Sequence, residues 1–171
     1  MHDNIILIGS APCALLDLGA IPRVCSYDFM AIGMDAVHLY RWPILYVATN
    51  HPEDIPDIYK RRHAIGGNLD FQIIGPDPHE GVHIVEPYRP PSGSSAITGA
   101  FAAVTLGYKK IILCGCPLDG KSPEGNPYSN FRPGWLVNRG AFGNKVRSMS
   151  GWTQELFGMP TMEWLLNAKG E

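Results

Sequence analysis

Two short apolar runs, each halted by glycine, constrain this chain most: Ile5-Ile6-Leu7-Ile8 before Gly9, and Ile111-Ile112-Leu113-Cys114 before Gly115. Neither run alternates with polar residues, so neither keeps a face for water. A β-branched run of this length reads as a strand buried on both sides, and such strands belong in a parallel sheet covered by helices.

The remaining pattern fits that frame. Pro12 suits a first helical position, with Cys13 to Leu18 continuing a short helix. Arg23 to Tyr27 reads as a second strand, followed by a glycine-interrupted helical stretch from Asp28 to Leu39. Ile44 to Ala48 is a third strand. A helix opens at Pro52-Glu53-Asp54, runs toward Ala64 and stops at Gly66-Gly67-Asn68. Phe71 to Ile74 and Val82 to Val85 are further strands. Ala96 to Leu106 is apolar nearly all round, as a buried helix is. Lys145 to Met149 reads as the last strand and Trp152 to Ala168 as the last helix, broken at Gly158-Met159-Pro160. Trp152, Leu156, Phe157, Met162, Trp164 and Leu165 would form its packed side. Strands alternating with helices predict an α/β fold: a Rossmann-like open, mostly parallel sheet with helices on both faces, in one domain over residues 1–171. Such sheets bind ligands beyond the carboxyl ends of their strands.

Composition narrows the function classes. With 171 residues, 45% apolar and 18% charged, the chain buries a real core. A net charge of −2 and a pI near 6.3 give no electrostatic reason for nucleic-acid or membrane-surface binding. No apolar run reaches the length of a membrane span, and Met1-His2-Asp3-Asn4 lacks the basic start of a secretory signal. Four cysteines in a chain this long do not make a disulfide framework. The expectation is a soluble, cytoplasmic protein.

Three strand-to-helix junctions share one chemistry: Gly9-Ser10-Ala11-Pro12, Asn50-His51-Pro52 and Ser92-Gly93-Ser94-Ser95. Each sets small or hydrogen-bonding residues before a helix N-terminus, where free N–H groups and the helix dipole favour an anion such as phosphate. In a parallel sheet all three share one edge and line one pocket. Ordinary N-capping by Ser and Asn is the alternative at each. Ser150-Gly151 is a fourth junction of this type. Neither a Walker loop nor the Gly-x-Gly-x-x-Gly fingerprint is present, which disfavours a nicotinamide oxidoreductase.

Other signals are weaker. Cys114-Gly115-Cys116 lacks a partner pair for zinc, and His79, Glu80 and His83 read as a solvated turn, so no metal site is assigned. Lys60-Arg61-Arg62-His63 reads as a solvated helical face, with nucleic-acid contact as the alternative. Residues from about 117 to 135 are rich in Gly, Pro, Ser and Asn and read as a lid. Its Tyr128, Phe131 and Trp135 would stack on a sugar or base, or anchor the lid to the body. Arg132, Arg139 and Arg147 are candidate phosphate partners.

The run Ile5 to Pro12 resembles the opening strand and phosphate loop of the small bacterial sialyltransferases that use CMP-sialic acid, and of their relatives in phage and bacterial genomes. The block from Pro91 through Gly115, with its Ser-Gly turn, small-residue helix and Leu106-Gly107-Tyr108-Lys109 step, is similar to the same family. The resemblance implies nucleotide contacts at Gly9, Ser10, Ala11, Asn50, Ser92, Gly93, Ser94 and Ser95, and the fourth junction adds Ser150 to the same pocket. It also sets Asp119 near the acidic residue that follows this strand in the family. The chain departs from the family in two ways. No histidine follows His83, where a lid histidine is expected, and Ser26 or Tyr27 stands where an Asn follows the second strand.

The function implied is metal-independent glycosyl transfer from a nucleotide sugar, which serves as donor substrate with no further cofactor. His51 and Asp119 are the candidate general bases. The acceptor is open. The alternatives are a non-catalytic protein that sequesters a nucleotide-type ligand, and a phage-type transferase acting on nucleic-acid bases, steered by Lys60 to Arg62.

Overall fold

The computed structural model describes residues 2–39, 41–87, 94–121 and 125–167. Seven strands form one parallel sheet: β1 Asn4–Ile8, β2 Asp28–Ile32, β3 Tyr46–Ala48, β4 Gln72–Gly75, β5 Ile84–Val85, β6 Lys110–Cys114 and β7 Val146–Ser148. Their order is β5-β4-β3-β2-β1-β6-β7. The α-helices are α1 Ala14–Ala20, α2 Ile55–Ala64, α3 Ser95–Thr105, α4 Arg132–Phe142, α5 Gly151–Phe157 and α6 Met162–Leu166. The expected Rossmann-like α/β architecture is present.

The unbroken apolar runs do what their sequence requires. Ile5 and Leu7 of β1 enter one core layer while Ile6 and Ile8 enter the other. In β6, Ile111 and Leu113 divide from Ile112 and Cys114 in the same way. The first layer packs against α3, α4 and α5. Alanines 96, 100, 102 and 103 let α3 lie close to the sheet, and Trp135, Phe142 and Phe157 fill the space beside them. The second layer packs α1, α2 and α6 through Ala14, Ile58 and Leu165.

Three expectations need correction. The second strand is not Arg23–Tyr27 but Asp28–Ile32, and the helix expected over 28–39 does not form. The strand is pinned at Asp28, which accepts the Tyr108 hydroxyl at 2.8 Å and the His2 amide at 2.9 Å. Arg23 to Tyr27 instead closes a turn, with the Tyr27 hydroxyl on Pro22 O. The loop expected over about 117–135 gives way to a 3₁₀ turn at Tyr128–Phe131 that leads directly into α4. Trp135 is fully buried and anchors that helix. The last helical stretch is two separate helices, and Met162 is 48% exposed rather than packed. Ala168 lies outside the described residues. Among the described residues, no helix is long and apolar enough to cross a membrane.

Candidate functional site

The sheet order reverses between β1 and β6, since β1 continues to β2 on one side and to β6 on the other. A crevice opens outside the carboxyl ends of strands at such a point. Here it is a cleft of about 210 Å³. Its floor is backbone. A Cβ on Gly9 would overlap Gly115 O and lie 2.6 Å from Cys116 Sγ, and a Cβ on Gly115 would lie 2.8 Å from Gly9 O. Gly9 N–H donates to Cys114 O at 2.8 Å and Ala11 N–H to Gly115 O at 3.2 Å, so the two strand exits are laced together. A side chain at either position would force the two strand exits apart, so glycine is what lets them approach.

Around this floor stand Ser10 and Ala11 from the β1–α1 junction, Ile32 and Gly33 from the end of β2, and His51. Ser94, Ser95 and Ala96, at the N-terminal turn of α3, face them, and Tyr128 and Phe131 close the far side. Ser94 begins α3 without a side-chain cap, as do the residues that begin α1 and the Pro52–Asp54 turn. The Ser95 hydroxyl instead accepts the Asn50 amide at 3.1 Å. The small polar residues at these junctions are therefore not spent as N-caps.

His51 has an anchored backbone and an open ring. Its N–H donates to Thr49 Oγ1 at 3.0 Å, and Thr49 is itself buried. The imidazole, 63% exposed, sets Nδ1 3.1 Å from Glu53 Oε1. An ionised carboxylate only accepts hydrogen bonds, so Nδ1 is the donor in this contact, and in a neutral ring the lone pair falls to Nε2. A hydrogen bond from its own backbone amide, then the one from His51, holds the Glu53 carboxyl below the usual glutamate range.

The other anticipated residues fall in different places. Asn50 stands behind the cleft wall, its Oδ1 accepting Thr98 Oγ1 at 2.9 Å, which ties the end of β3 to α3. Asp119 is outside the cleft lining. Its Oδ1 meets Arg132 at 2.5 Å and its Oδ2 accepts the Trp152 amide at 3.0 Å, so it joins the start of α4 to the start of α5. Ser150 is also off the lining and donates to Asp17 Oδ2 at 2.7 Å. Ser92 and Gly93 lie outside the described residues. The residue after the second strand is Gly33, not Ser26 or Tyr27, because the strand itself lies further along the chain.

Asp17 went unnoticed in the sequence. It is buried in α1 and accepts both the Gly115 amide, at 2.8 Å, and the Ser150 hydroxyl. The signal was legible: Ala14, Asp17, Leu18 and Ile21 share one helical face, and a lone acid on an apolar face needs buried donors. The cysteines are packing. Burial raises the Cys116 thiol to about 12 and pushes Cys114 well above its ordinary value. Among the described residues, no basic run lines the cleft either. Arg62 is fully buried, donating to Val37 O at 3.1 Å and to Asn68 Oδ1 at 3.0 Å, and Arg61 pairs with Asp35 at 2.6 Å. The solvated face expected for Lys60 to His63 therefore holds at Lys60, Arg61 and His63 and fails at Arg62.

No protein-family profile matches the sequence, and no curated protein does. Among solved structures, the sialyltransferase CstII from Campylobacter jejuni in complex with the substrate analogue cytidine-5'-monophosphate superposes with a TM-score of 0.61 at 14% identity, over 92% of this chain and 85% of that chain. The same enzyme with CMP-3FNeuAc gives 0.60 at 13% identity, over 93% and 88%. A sialyltransferase CST-II structure with trisaccharide acceptor and CMP gives 0.60 at 13%, over 92% and 86%. The fold is sialyltransferase-like. The likeness spans most of both chains.

Proposed function

We propose that the switch-point cleft binds a nucleotide or nucleotide sugar, and that the protein transfers the sugar without a metal. The observation that carries this reading is the backbone floor made by Gly9 and Gly115, facing the N-terminal turn of α3 at the sheet's switch point. Phosphate oxygens suit that place because backbone N–H groups and the α3 dipole stabilise negative charge. The fold neighbours hold CMP, which agrees with the reading. At about 210 Å³ the cleft is below the usual ~300–1,000 Å³ of small-molecule sites, so a sugar would extend past it toward His51.

The chemistry follows from position. The acceptor hydroxyl oxygen bonds to the anomeric carbon. The bond from that carbon to the phosphate oxygen breaks, and its electron pair leaves on the nucleotide. The acceptor's proton passes to His51 Nε2. The N-terminal turn of α3, through its dipole, stabilises the charge that grows on the leaving phosphate. His51 is the base in this reading, because it lines the cleft while both Asp119 oxygens are engaged elsewhere.

The test is a thermal-shift series with CMP, UDP, GDP, ADP and their sugar conjugates, followed by an assay for nucleotide release. A ligand that binds only the folded state stabilises it by about 2.7 kcal/mol at a hundredfold excess over Kd. A shift with one nucleotide family, and nucleotide release from its sugar conjugate, are expected. No shift with any would overturn the reading. A shift without release, equal in His51→Ala, would favour a non-catalytic binder, the reading suggested by the missing lid histidine.

A further inference from the structure

The second core layer is unfinished toward the amino ends of β1 and β2. The β1–β2 crossover carries α1 and the β3–β4 crossover carries α2, but the β2–β3 crossover, residues 33–45, has no helix among its described residues. Its Ala36, Val37 and Ile44 are buried in that layer, yet Leu18, Cys25, Tyr27 and Phe29 stay only partly buried against it, and Trp42 is 55% exposed. The space left is a hollow of about 440 Å³, which shares no lining residue with the switch-point cleft. Ile6 and Phe29, register partners on β1 and β2, form its floor. Leu18 and Ile21, at the end of α1, make one wall. Trp42 makes another, its ring nearly parallel to Phe29 with centroids 6.4 Å apart. The Tyr27 ring is fixed at the rim by its hydroxyl, which donates to Pro22 O at 2.8 Å.

We propose that this hollow binds a small aromatic carboxylate of one or two rings, its ring system on the sheet face and its carboxylate on Arg23. The inference is independent of the nucleotide reading of the cleft. Small-molecule sites are mostly apolar, with a few placed polar groups and a volume of ~300–1,000 Å³, and this hollow has that make-up. Arg23 is the one charged residue among its described lining residues. The side chain is exposed and makes no hydrogen bond or ion pair among the described residues, so its guanidinium keeps its donors for a ligand. A guanidinium takes a carboxylate through two parallel hydrogen bonds. One cation suits a monoanion better than a phosphate dianion. Burial pushes the Tyr27 phenol up, so no phenolate competes for Arg23. Tyr27, Phe29 and Trp42 favour a ring over an aliphatic chain, because ring pairs add to the energy of burial. An exposed ion pair contributes little by itself. The apolar body therefore carries most of the affinity, and Arg23 selects the acid.

The experiment is an isoleucine-methyl NMR titration of the full chain with 2-naphthoate, and with 2-naphthamide and octanoate as counterparts lacking the charge and the rings. Millimolar 2-naphthoate is expected to shift the methyls of Ile6 and Ile21 and to leave Ile97, in the other core layer, in place. The amide is expected to bind about fivefold more weakly, the upper range of an exposed ion pair, and octanoate more weakly than 2-naphthoate. Arg23→Gln should bring 2-naphthoate down to the affinity of the amide and leave the amide unchanged. Cys25→Phe, which fills the hollow, should abolish binding of both. Arg23 is exposed, so its variant decides the matter even if Cys25→Phe fails to fold. No shift at Ile6 and Ile21, equal affinity for the amide or for octanoate, or an Arg23→Gln protein that still prefers the acid would each overturn the inference.

Discussion

At Gly9 a methyl group would overlap the Gly115 carbonyl, whereas at Gly19 in α1 it would meet nothing within 4 Å. Gly9→Ala is therefore expected to lower stability by about 1–3 kcal/mol, as overpacking does. Gly19→Ala should raise it by about 0.5–1 kcal/mol, because it lowers the entropy of the unfolded chain. Urea unfolding of both variants reads the opposite signs. Arg62 separates from its neighbours in the same way. Arg62→Leu leaves the buried Val37 carbonyl and the part-buried Trp42 carbonyl without the guanidinium, at about 1–3 kcal/mol for the buried one, and a drop of about 2 kcal/mol or more is expected in the same unfolding measurement. In sequence Arg61 and Arg62 look alike; only the carbonyls that converge on one of them tell them apart. At His51, replacement by Ala is expected to slow transfer by about 10²–10⁴-fold, the usual contribution of a general base. The same change should raise the Glu53 pKa yet leave it below the ordinary 4.5, since the larger cause is its own amide. Carboxyl-carbon NMR against pH checks this. The sign follows from the depression: any stability from Glu53 is present above the unfolded glutamate range and is lost as pH falls through the lower folded value.

At the scale of elements, the strands read most directly were those with no polar face, β1 and β6, because burial on both sides leaves one reading of their pattern. β2 was misplaced. Its sequence, Asp28-Phe29-Met30-Ala31-Ile32, begins with a charge that local propensity puts outside a strand. Tyr108, distant in sequence, supplies the hydroxyl that makes a buried Asp28 acceptable. α4 was hidden by Pro133, Gly134 and Gly140, all poor helix residues, and forms because Trp135 and Phe142 bury against Phe157. The end of α6 is held by a cation. Lys110 donates to Leu165 O at 2.7 Å and Asn167 O at 2.6 Å, and lies 5.5 Å from the Trp164 ring centroid. Lys110→Met keeps the stem and removes the donor. Hydrogen exchange over residues 162–167 is expected to accelerate, with a loss of about 1.5–3 kcal/mol, the contribution of hydrogen bonds to a charged group.

For the whole molecule, the cleft's charge decides what class of partner the sheet edge accepts. Among the described lining residues only His51 can become cationic, and the Asp17 carboxylate lies behind Gly115. CMP affinity is therefore expected to change little between 50 and 300 mM salt, roughly the range over which polymer binding through several phosphates collapses. A steep salt slope, or duplex DNA binding of comparable strength, would point back to a nucleic-acid substrate. The sequence by itself determined the parallel sheet, the glycine-ended strands β1 and β6, the buried α3, and hence the edge where a ligand site belongs. These follow from local patterns, since unbroken apolar runs and small-residue helices are satisfied only by burial on all sides. Only the tertiary structure decided where β2 lies, that Asp119 joins two helix starts, that Asp17 holds the Gly115 amide, and that His51 lines the cleft while Asn50 does not. Each of these depends on a partner brought in by the fold, and the type of a polar residue states that it needs a partner without saying which one it meets.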